Sequence, residues 1–233
     1  MQLFITNFET QWKSIKISNK EILDQIRKVL RMKIWDIIFV QKEHIRHKIQ
    51  IDSRDNQNIF GTIIETIESE SEAKDITCSL AIAMPNKWDK AELIVQKLSE
   101  IWIKKIYFRP SERSIIRKRN EKKIERINKI AKEAVEQSRW RFLPEIKFEK
   151  DISNIIKWKN VIVFDKTDSD MGKIIENNWK ELLWIIWPEW WLTNNDYINF
   201  WDKIKTASLG DTVLRTETAS IIAAWLLQNH YFN

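Results

Sequence analysis

Two short segments in the C-terminal half of the chain carry residue types that could bind a ligand and act on it. Residues 187–191 form a loop of tryptophan, proline and glutamate that follows the apolar run 182–186. Residues 208–215 lead into a helix-like segment that begins at Thr216. In open α/β sheets ligands lie beyond the carboxyl ends of strands, where both segments are expected. The pattern fits a ligand site, and it fits equally well two tight connections with a helix cap at Thr216 or Thr218.

The tryptophan content bears directly on the first loop, because the chain has thirteen tryptophans and only three glycines in 233 residues. Average usage is about 7% glycine. Trp102, Trp140 and Trp201 each follow a helix-like segment, where the left-handed residue that ends a helix is usually glycine. Trp35 precedes Asp36 in a predicted turn that would also suit glycine. Five further tryptophans are less diagnostic: Trp12, Trp158, Trp179, Trp184 and Trp225.

We hypothesise that most of these tryptophans correspond to UGA codons in a genome that reads UGA as glycine. With glycine restored, residues 187–191 read Gly-Pro-Glu-Gly-Gly, a loop whose backbone can approach a ligand closely and donate N–H groups to it. The alternative is a genuine tryptophan-rich surface for sugars, stacked bases or a membrane interface.

Composition and charge narrow the class of protein. The net charge of +6 and the pI near 9.2 favour a polyanionic partner, most simply RNA or DNA. The N-terminal residues have no signal-peptide pattern, and no apolar run approaches the ~20 residues of a membrane span. The single cysteine, Cys78, excludes an internal disulfide and is expected to be a small core residue of a cytoplasmic protein.

The periodicity of the chain changes near residue 72, which predicts two domains. Residues 1–72 contain short β-branched runs at 3–5, 37–40, 45–51 and 59–68, which is typical of a small barrel. One helix interrupts them, capped by Ser18 or Asn19 and with Ile22, Ile26, Val29 and Leu30 on its inner face. Residues 73–233 alternate continuous apolar strands with helices, which predicts a parallel sheet covered on both faces.

A series of motifs along nearly the whole chain resembles the RsmE family of ribosomal RNA methyltransferases, of the SPOUT class. The match depends on reading tryptophan as glycine in the last loops, and Gln25 stands where the family commonly has histidine. The matching segments are Val29-Leu30-Arg31-Met32-Lys33, Trp35-Asp36, Met84-Pro85, Gln96-Lys97-Leu98, Glu100-Ile101-Trp102, Ser111-Glu112-Arg113-Ser114, residues 133–138, Pro144-Glu145-Ile146, residues 187–191, Ser208-Leu209-Gly210 and residues 214–219.

The resemblance implies an α/β fold, with a PUA-like β-barrel over residues 1–72 and a SPOUT domain with a trefoil knot over residues 73–233. It also implies a homodimer that binds S-adenosylmethionine and methylates N3 of a uridine in small-subunit (16S) rRNA or the 30S particle. The implied cofactor-binding residues are Trp187, Glu189, Trp190, Trp191, Leu209, Gly210, Leu214 and Thr218.

Methylation at N3 requires that the N3 proton leaves and that charge on the ring is stabilised, so carboxylates and cations near the loops are candidate catalytic groups. These candidates are Arg113, Glu189, Arg215 and Glu217, with Glu112 beside them. Glu217 could equally be a first-turn carboxylate that the helix dipole favours. Arg113 and Arg215 are better suited to hold RNA phosphate or a uracil oxygen than to move protons.

Basic residues outside the loops are predicted to contact RNA phosphates. They are Arg31, Lys33, Arg113, Arg117, Lys118 and Arg139. A solvated helix start accounts equally well for the basic run that continues to Arg126. His44 and His47 lack a third ligand nearby, so no metal site is expected.

Two other functions remain open at this point. A SPOUT methyltransferase could act on another RNA such as tRNA, or the chain could be a non-catalytic RNA-binding factor in ribosome assembly. A carbohydrate-binding surface built from the tryptophans is a more distant possibility.

Overall fold

The fold was determined from a computed structural model that describes residues 1–43, 45–68, 77–109, 120–140, 142–149, 153–156, 160–164, 181–186 and 204–232. The chain divides into two compact units. Unit 1 comprises Met1–Glu72 and Val135–Phe142, and unit 2 comprises Ala73–Ala134 and Leu143–Asn233.

Unit 1 is built on a six-stranded sheet whose order is β1-β4-β5-β6-β3-β2. All neighbouring strands are antiparallel except β1 and β4, which are parallel. The strands are β1 Leu3–Ile5, β2 Glu9–Gln11, β3 Ser14–Ile17, β4 Ile37–Lys42, β5 Ile45–Arg54 and β6 Ile59–Glu68. The predicted β-branched runs are confirmed as strands. Among the described residues the edge strands β1 and β2 do not pair with each other.

Alternating side chains explain why these strands share one core. Ile49 and Ile51 of β5 are fully buried, and the intervening side chain of Gln50 is not. Ile38 and Val40 of β4 are buried in the same way, as the period of a half-buried strand requires. Strands β2 and β3 were not predicted, because segments of three and four residues are too short to show a clear alternation of polar and apolar side chains.

The helix that follows β3 departs from its predicted register. Helix α1 spans Lys20–Asp24 and continues directly into a π-helical turn, Gln25–Val29. The wider turn rotates the following residues away from the core, so Ile22 and Ile26 are buried but Val29 is 71% exposed. The prediction that Val29 and Leu30 face inward is therefore wrong. Asn19 caps α1, with its Oδ1 accepting hydrogen bonds from the N–H groups of residues 21 and 22.

Unit 2 contains a six-stranded sheet of order β12-β10-β11-β7-β8-β9 in which every neighbouring pair is parallel. Its strands are β7 Thr77–Ala83, β8 Lys105–Arg109, β9 Glu145–Phe148, β10 Asn160–Phe164, β11 Glu181–Ile186 and β12 Ile204–Ala207. The helices described after β7 are α2 Trp88–Glu100, α3 Glu121–Ser138, α4 Ser153–Ile156 and α5 Thr216–Phe232, and the last residues of α3, from Val135, belong to unit 1.

Both faces of this sheet are covered, as the continuous apolar strands predict. On one face Leu80, Ile82 and Trp184 pack with residues of α2, α3 and α5. On the other face Ala81, Leu183 and their neighbours pack with α4. Among the described residues no helix is long and apolar enough to cross a membrane.

Three tryptophans occupy turn positions with a left-handed backbone: Trp12 has φ 59°, Trp35 has φ 79° and Trp102 has φ 71°. Trp12 is the first residue of the two-residue loop joining β2 to β3, the position that type II′ hairpins give to glycine. Trp35 lies third in the turn closed by the hydrogen bond from Asp36 N to Lys33 O, where a type II turn requires positive φ. The turn predicted at Trp35 is therefore confirmed.

Trp102 ends helix α2 in a Schellman arrangement, in which Ile103 N donates to Leu98 O at 3.2 Å. The left-handed residue predicted at Trp102 is thus confirmed. At the end of α3 the corresponding residue is Arg139, with φ 59°, and Trp140 N donates to Val135 O. The prediction for Trp140 is wrong by one residue, because α3 ends at Ser138. Trp201 lies outside the described residues.

Candidate functional site

The order of the strands brings the carboxyl ends of β11 and β12, which precede the two predicted loops, to one edge of the unit 2 sheet. Strand β11 lies between β7 and β10, and β12 lies on the far side of β10. The chain builds outward from β7 toward β9, and β10, β11 and β12 then fill the opposite side. Because all six strands are parallel, the carboxyl ends of β7, β11 and β12 lie at the same edge. This edge at the reversal of strand order is where α/β folds bind ligands.

The segment after β12 exposes backbone at its centre. Gly210 has φ 114°, and a Cβ built on it would meet no atom within 4 Å. Conformation, rather than crowding, therefore explains why this position needs glycine. Ser208 holds the bend, since its Oγ accepts from Gly210 N and donates to Gly210 O, both at 3.1 Å. Leu209 and Leu214 flank the bend and pack partly buried against the core.

Helix α5 begins directly after this segment and presents the predicted polar groups. The N–H of Ala219 donates to Arg215 O at 2.8 Å, which makes Arg215 the residue that precedes the first turn. The side chains of Arg215 and Thr218 are exposed, and Glu217 lies half-buried between them in the sequence. Arg215 therefore directly precedes the first turn of α5, which carries Glu217 and Thr218, and Gly210 lies a few residues earlier in the sequence.

A second charged group reaches Glu217 from the helix that follows β7. Lys90 Nζ of α2 lies 2.9 Å from Glu217 Oε1. The Glu217 side chain keeps only 15% of its exposure, whereas that of Lys90 keeps 40%. Sequence reasoning missed Lys90. The only local signal was a basic residue near the start of a helix after a strand, which is too common to single out.

The environment of Glu217 keeps it ionised. Burial acts to raise the pKa of its carboxyl, but the hydrogen bond from Lys90 and one from its own backbone N–H act to lower it. The positive charges of Lys90 and Arg215 act in the same direction, and the net result is a pKa below the ordinary value. A carboxylate of this kind is a poor proton acceptor and a good fixed anion.

Several predicted site residues lie outside the described residues. They are Arg113, Arg117, Lys118, Trp187, Glu189, Trp190 and Trp191. Strand β11 ends at Ile186, the residue before this first loop.

The predicted RNA-binding residues of unit 1 occupy two places. Arg31 and Lys33 project as exposed side chains from residues 30–36. The backbone of that segment is anchored by Arg54 Nη1 donating to Met32 O at 2.7 Å and by Trp35 N donating to Ile51 O at 2.7 Å. Arg139 is exposed at the end of α3, and its carbonyl accepts from Arg46 Nη1 at 3.2 Å.

Cys78 and His47, the cysteine and one of the histidines considered for chemistry, are both buried side chains. Cys78 is a buried residue of β7, and desolvation raises the pKa of its thiol to about 12, so it remains protonated. The expectation of a small core cysteine is confirmed. His47 is buried, its Nδ1 lies 2.9 Å from Thr66 Oγ1, and desolvation lowers its pKa. His44 lies outside the described residues, among which no cluster of three potential metal ligands occurs.

The parallel sheet, its covered faces and the glycine-containing segment after β12 define an α/β protein with a candidate ligand site at the carboxyl edge. Residues 71–228, more than half of the chain, match the family model described as an RNA methyltransferase domain. The chain therefore belongs to this family of RNA methyltransferases.

Individual relatives extend the similarity to both units. The ribosomal RNA small subunit methyltransferase E of Bacillus subtilis is 28% identical over 227 residues, covering 90% of this chain and 88% of the relative. The enzyme of that name from Neisseria gonorrhoeae, solved with S-adenosylmethionine, has a TM-score of 0.82 at 19% identity, covering 99% and 98% of the two chains. A methyltransferase from Legionella pneumophila with bound S-adenosylmethionine has a TM-score of 0.80 at 21% identity, covering 98% and 97%. At these identities the solved structures establish the shared two-sheet α/β fold.

Proposed function

We propose that this chain uses S-adenosylmethionine to methylate N3 of a uridine in small-subunit rRNA. The observation that carries the proposal is the Lys90–Glu217 ion pair beside Arg215 at the start of α5, which follows the Gly210 bend after a strand of a parallel sheet. Membership of the RNA methyltransferase family and the relative from Bacillus subtilis support the same reaction.

The described residues suit the cofactor. Leu209 and Leu214 supply apolar surface beside a bend whose backbone is open at Gly210. The adenine base of the cofactor needs such apolar contact, and its ring nitrogens need backbone donors or acceptors close by. The predicted partners from the first loop are Trp187, Glu189, Trp190 and Trp191, with Thr218 at the start of α5. When bound, S-adenosylmethionine supplies an electrophilic methyl group.

The residues of the chain then have to handle the uridine. Loss of the N3 proton leaves negative charge on the two carbonyl oxygens attached to the uracil ring, which a guanidinium can stabilise by hydrogen bonds. Arg215 is exposed at the start of α5 and suits this role, as does Arg113. The lowered pKa of Glu217 argues for a fixed anion rather than a base. Glu189 and Glu112 are then the remaining carboxylates that could accept the proton.

Further parts of the proposal concern the architecture and the location of the protein. We assign residues 1–72 to a PUA-like RNA-binding barrel and residues 73–233 to a SPOUT domain with a trefoil knot. Arg31, Lys33 and Arg139, together with Arg117 and Lys118, would contact RNA phosphates. A homodimer in the cytoplasm completes the proposal, supported by the incompletely buried apolar side chains of Ile221, Ile222 and Trp225 on α5.

The reaction can be tested by incubating the protein with isotopically labelled S-adenosylmethionine and small-subunit rRNA, free or in 30S particles. The chain with glycine at positions 187, 190 and 191 is assayed beside the unchanged chain. Nucleoside mass spectrometry should find label in N3-methyluridine at one position. Label on a ribose or at carbon 5 would reject the chemistry, and label only in tRNA would identify the other substrate. Cofactor binding without methylation of any RNA would indicate an assembly factor.

Arg215→Ala should reduce methylation about 100-fold, because one donor to a developing negative charge is lost. Its effect on the free energy of unfolding should stay within about 0.5 kcal/mol, since the side chain is exposed. Steady-state kinetics and thermal melting of the same preparations separate the two effects. Arg215→Lys, which keeps the charge, should retain an intermediate activity. Normal methylation with a much lower melting temperature would show that Arg215 is structural.

A further inference from the structure

We propose that Lys90 is a positioning residue of the methyltransferase site, holding the Glu217 carboxylate in place at the first turn of α5. This inference rests on the proposed function for its catalytic consequence. The ion pair itself is a contact between two helices that follow different strands of the sheet, α2 after β7 and α5 after β12.

The unequal burial of the two partners shows which one is held. Glu217 Oε1 lies 2.9 Å from Lys90 Nζ, and its side chain is only 15% exposed. A carboxylate in that position has lost much of its hydration and needs a charged partner to remain ionised. Lys90 is 40% exposed, so its ammonium keeps water on its other side. The lysine therefore stabilises the buried anion at little cost to itself.

Few other groups could take over this task. Among the described residues, the charged groups that act on Glu217 are Lys90 of α2 and Arg215 at the start of α5. Helix α5 also packs against β7 and β11, but β7 contains no lysine, arginine, aspartate or glutamate. The only charged residue of β11 is Glu181, at the amino end of that strand. Arg215 is exposed and free to turn toward RNA, which leaves Lys90 as the fixed cation.

The geometry also explains why the pair matters for the reaction. Glu217 lies two residues after Arg215, and Arg215 directly precedes the turn that carries Glu217. An anion fixed by Lys90 sets the electrostatic environment of the guanidinium that we assign to the uracil oxygens. Loss of Lys90 would leave the buried carboxylate to recruit Arg215 as its partner. The guanidinium would then be drawn away from the substrate, while both catalytic loops stayed intact.

The experiment measures the methylation kinetics of Lys90→Met, Lys90→Arg and the protein with Lys90 unchanged. All three are made in whichever form binds S-adenosylmethionine, either the unchanged chain or the chain with glycine at positions 187, 190 and 191. Lys90→Met should lower kcat/KM about tenfold through misplacement of Arg215. Lys90→Arg should recover most of the activity, because it restores a cation within reach of Glu217. Lys147→Met removes a comparable exposed ion pair on β9, to Glu145 at 2.8 Å, and serves as the matched control with unchanged kinetics.

Titration provides the readout that a merely structural role would not change. The folded-state pKa of Glu217 lies below its ordinary value and should rise in Lys90→Met, because the exposed Arg215 side chain replaces only part of what the hydrogen bond and charge of Lys90 contribute. Carbon-13 NMR of the carboxyl, assigned by its absence in Glu217→Gln, measures this change directly. The acid limb of the kcat/KM profile should move toward neutral pH by the same amount.

The outcomes distinguish the inference from the proposed function. An unchanged carboxyl titration, or an unmoved acid limb with wild-type kcat/KM in Lys90→Met, would overturn the role of Lys90. A loss of activity that parallels a fall in melting temperature and is not rescued by Lys90→Arg would also overturn it. If the protein that keeps Lys90 methylates no RNA, but the pKa of the Glu217 carboxyl still rises in Lys90→Met, then the proposed function fails and the coupling of Lys90 to Glu217 stands.

Discussion

Glycine at positions 12 and 35 is expected to stabilise unit 1 by about 1–2 kcal/mol in total. A residue with a Cβ atom adopts the left-handed conformation at a cost of about 1–2 kcal/mol, which glycine avoids. About 0.4–1 kcal/mol of this stabilisation is offset at each position, because glycine raises the conformational entropy of the unfolded chain. Little packing opposes the change, because Trp12 is 97% and Trp35 is 68% exposed. Chemical denaturation of Trp12→Gly, Trp35→Gly and the double variant, followed by a signal of unit 1, measures the effect.

Two controls separate backbone conformation from removal of an exposed indole. Alanine at positions 12 and 35 removes the ring but keeps the Cβ atom, so it should give little or none of the gain. Trp225 is 54% exposed but lies within helix α5, so Trp225→Gly should destabilise by about 1 kcal/mol. Equal stabilisation by alanine and glycine would attribute the effect to the indole. Destabilisation by glycine at both turns would count against the UGA hypothesis.

Three of the seven described tryptophans have positive φ, and these three occupy three different kinds of turn. A hairpin, a type II turn and a Schellman motif have in common only their demand for glycine-like backbone. A tryptophan-rich binding surface has no reason to select such positions. Trp184 shows the contrast, since it is a fully buried residue of strand β11 and packs edge-on against Phe164 at 4.9 Å. The hypothesis that most of the tryptophans replace glycine therefore gains support at turns but not in this strand.

Local periodicity was sufficient to predict most of the elements that position the site. Continuous apolar runs gave β7, β10 and β11, and 3.6-residue spacing gave α2, α3 and α5, because each of these elements buries a face of its own. The exceptions have physical causes. The π-helical turn at Gln25–Val29 breaks the helical period, and β9 is only four residues long with alternating exposure.

The arrangement of the site could not be predicted from any local pattern. Nothing in residues 181–186 indicates that β11 inserts between β7 and β10, because strand order depends on long-range packing. The pairing of Lys90 with Glu217 follows from that order, since it joins helices at opposite ends of unit 2's sequence. The family resemblance identified Arg215 and Glu217 through their motif. Lys90 lies outside the motifs that carry the resemblance, so its role could be inferred only from the packing of α2 against α5.

The largest effect is expected from glycine at positions 187, 190 and 191, which should convert a chain without measurable cofactor binding into one that binds S-adenosylmethionine. These residues come directly after β11 in the sequence, and a ligand held by backbone groups leaves no room for large side chains on the segment that holds it. The expected difference in Kd is at least about 100-fold, equivalent to roughly 2.7 kcal/mol of binding free energy.

Isothermal titration calorimetry of the unchanged chain and the triple variant, side by side, measures this difference. Trp102→Gly provides the matched control, because it relieves a left-handed tryptophan in unit 2 away from the loop and should stabilise the fold without creating cofactor affinity. If Trp102→Gly alone restored binding, global stability would be the cause. Equal affinity of the unchanged chain and the triple variant would mean that the indoles are tolerated. The tryptophans of the loop would then have to be accepted as native residues, since a site that binds its cofactor with three indoles in place gives no reason to replace them.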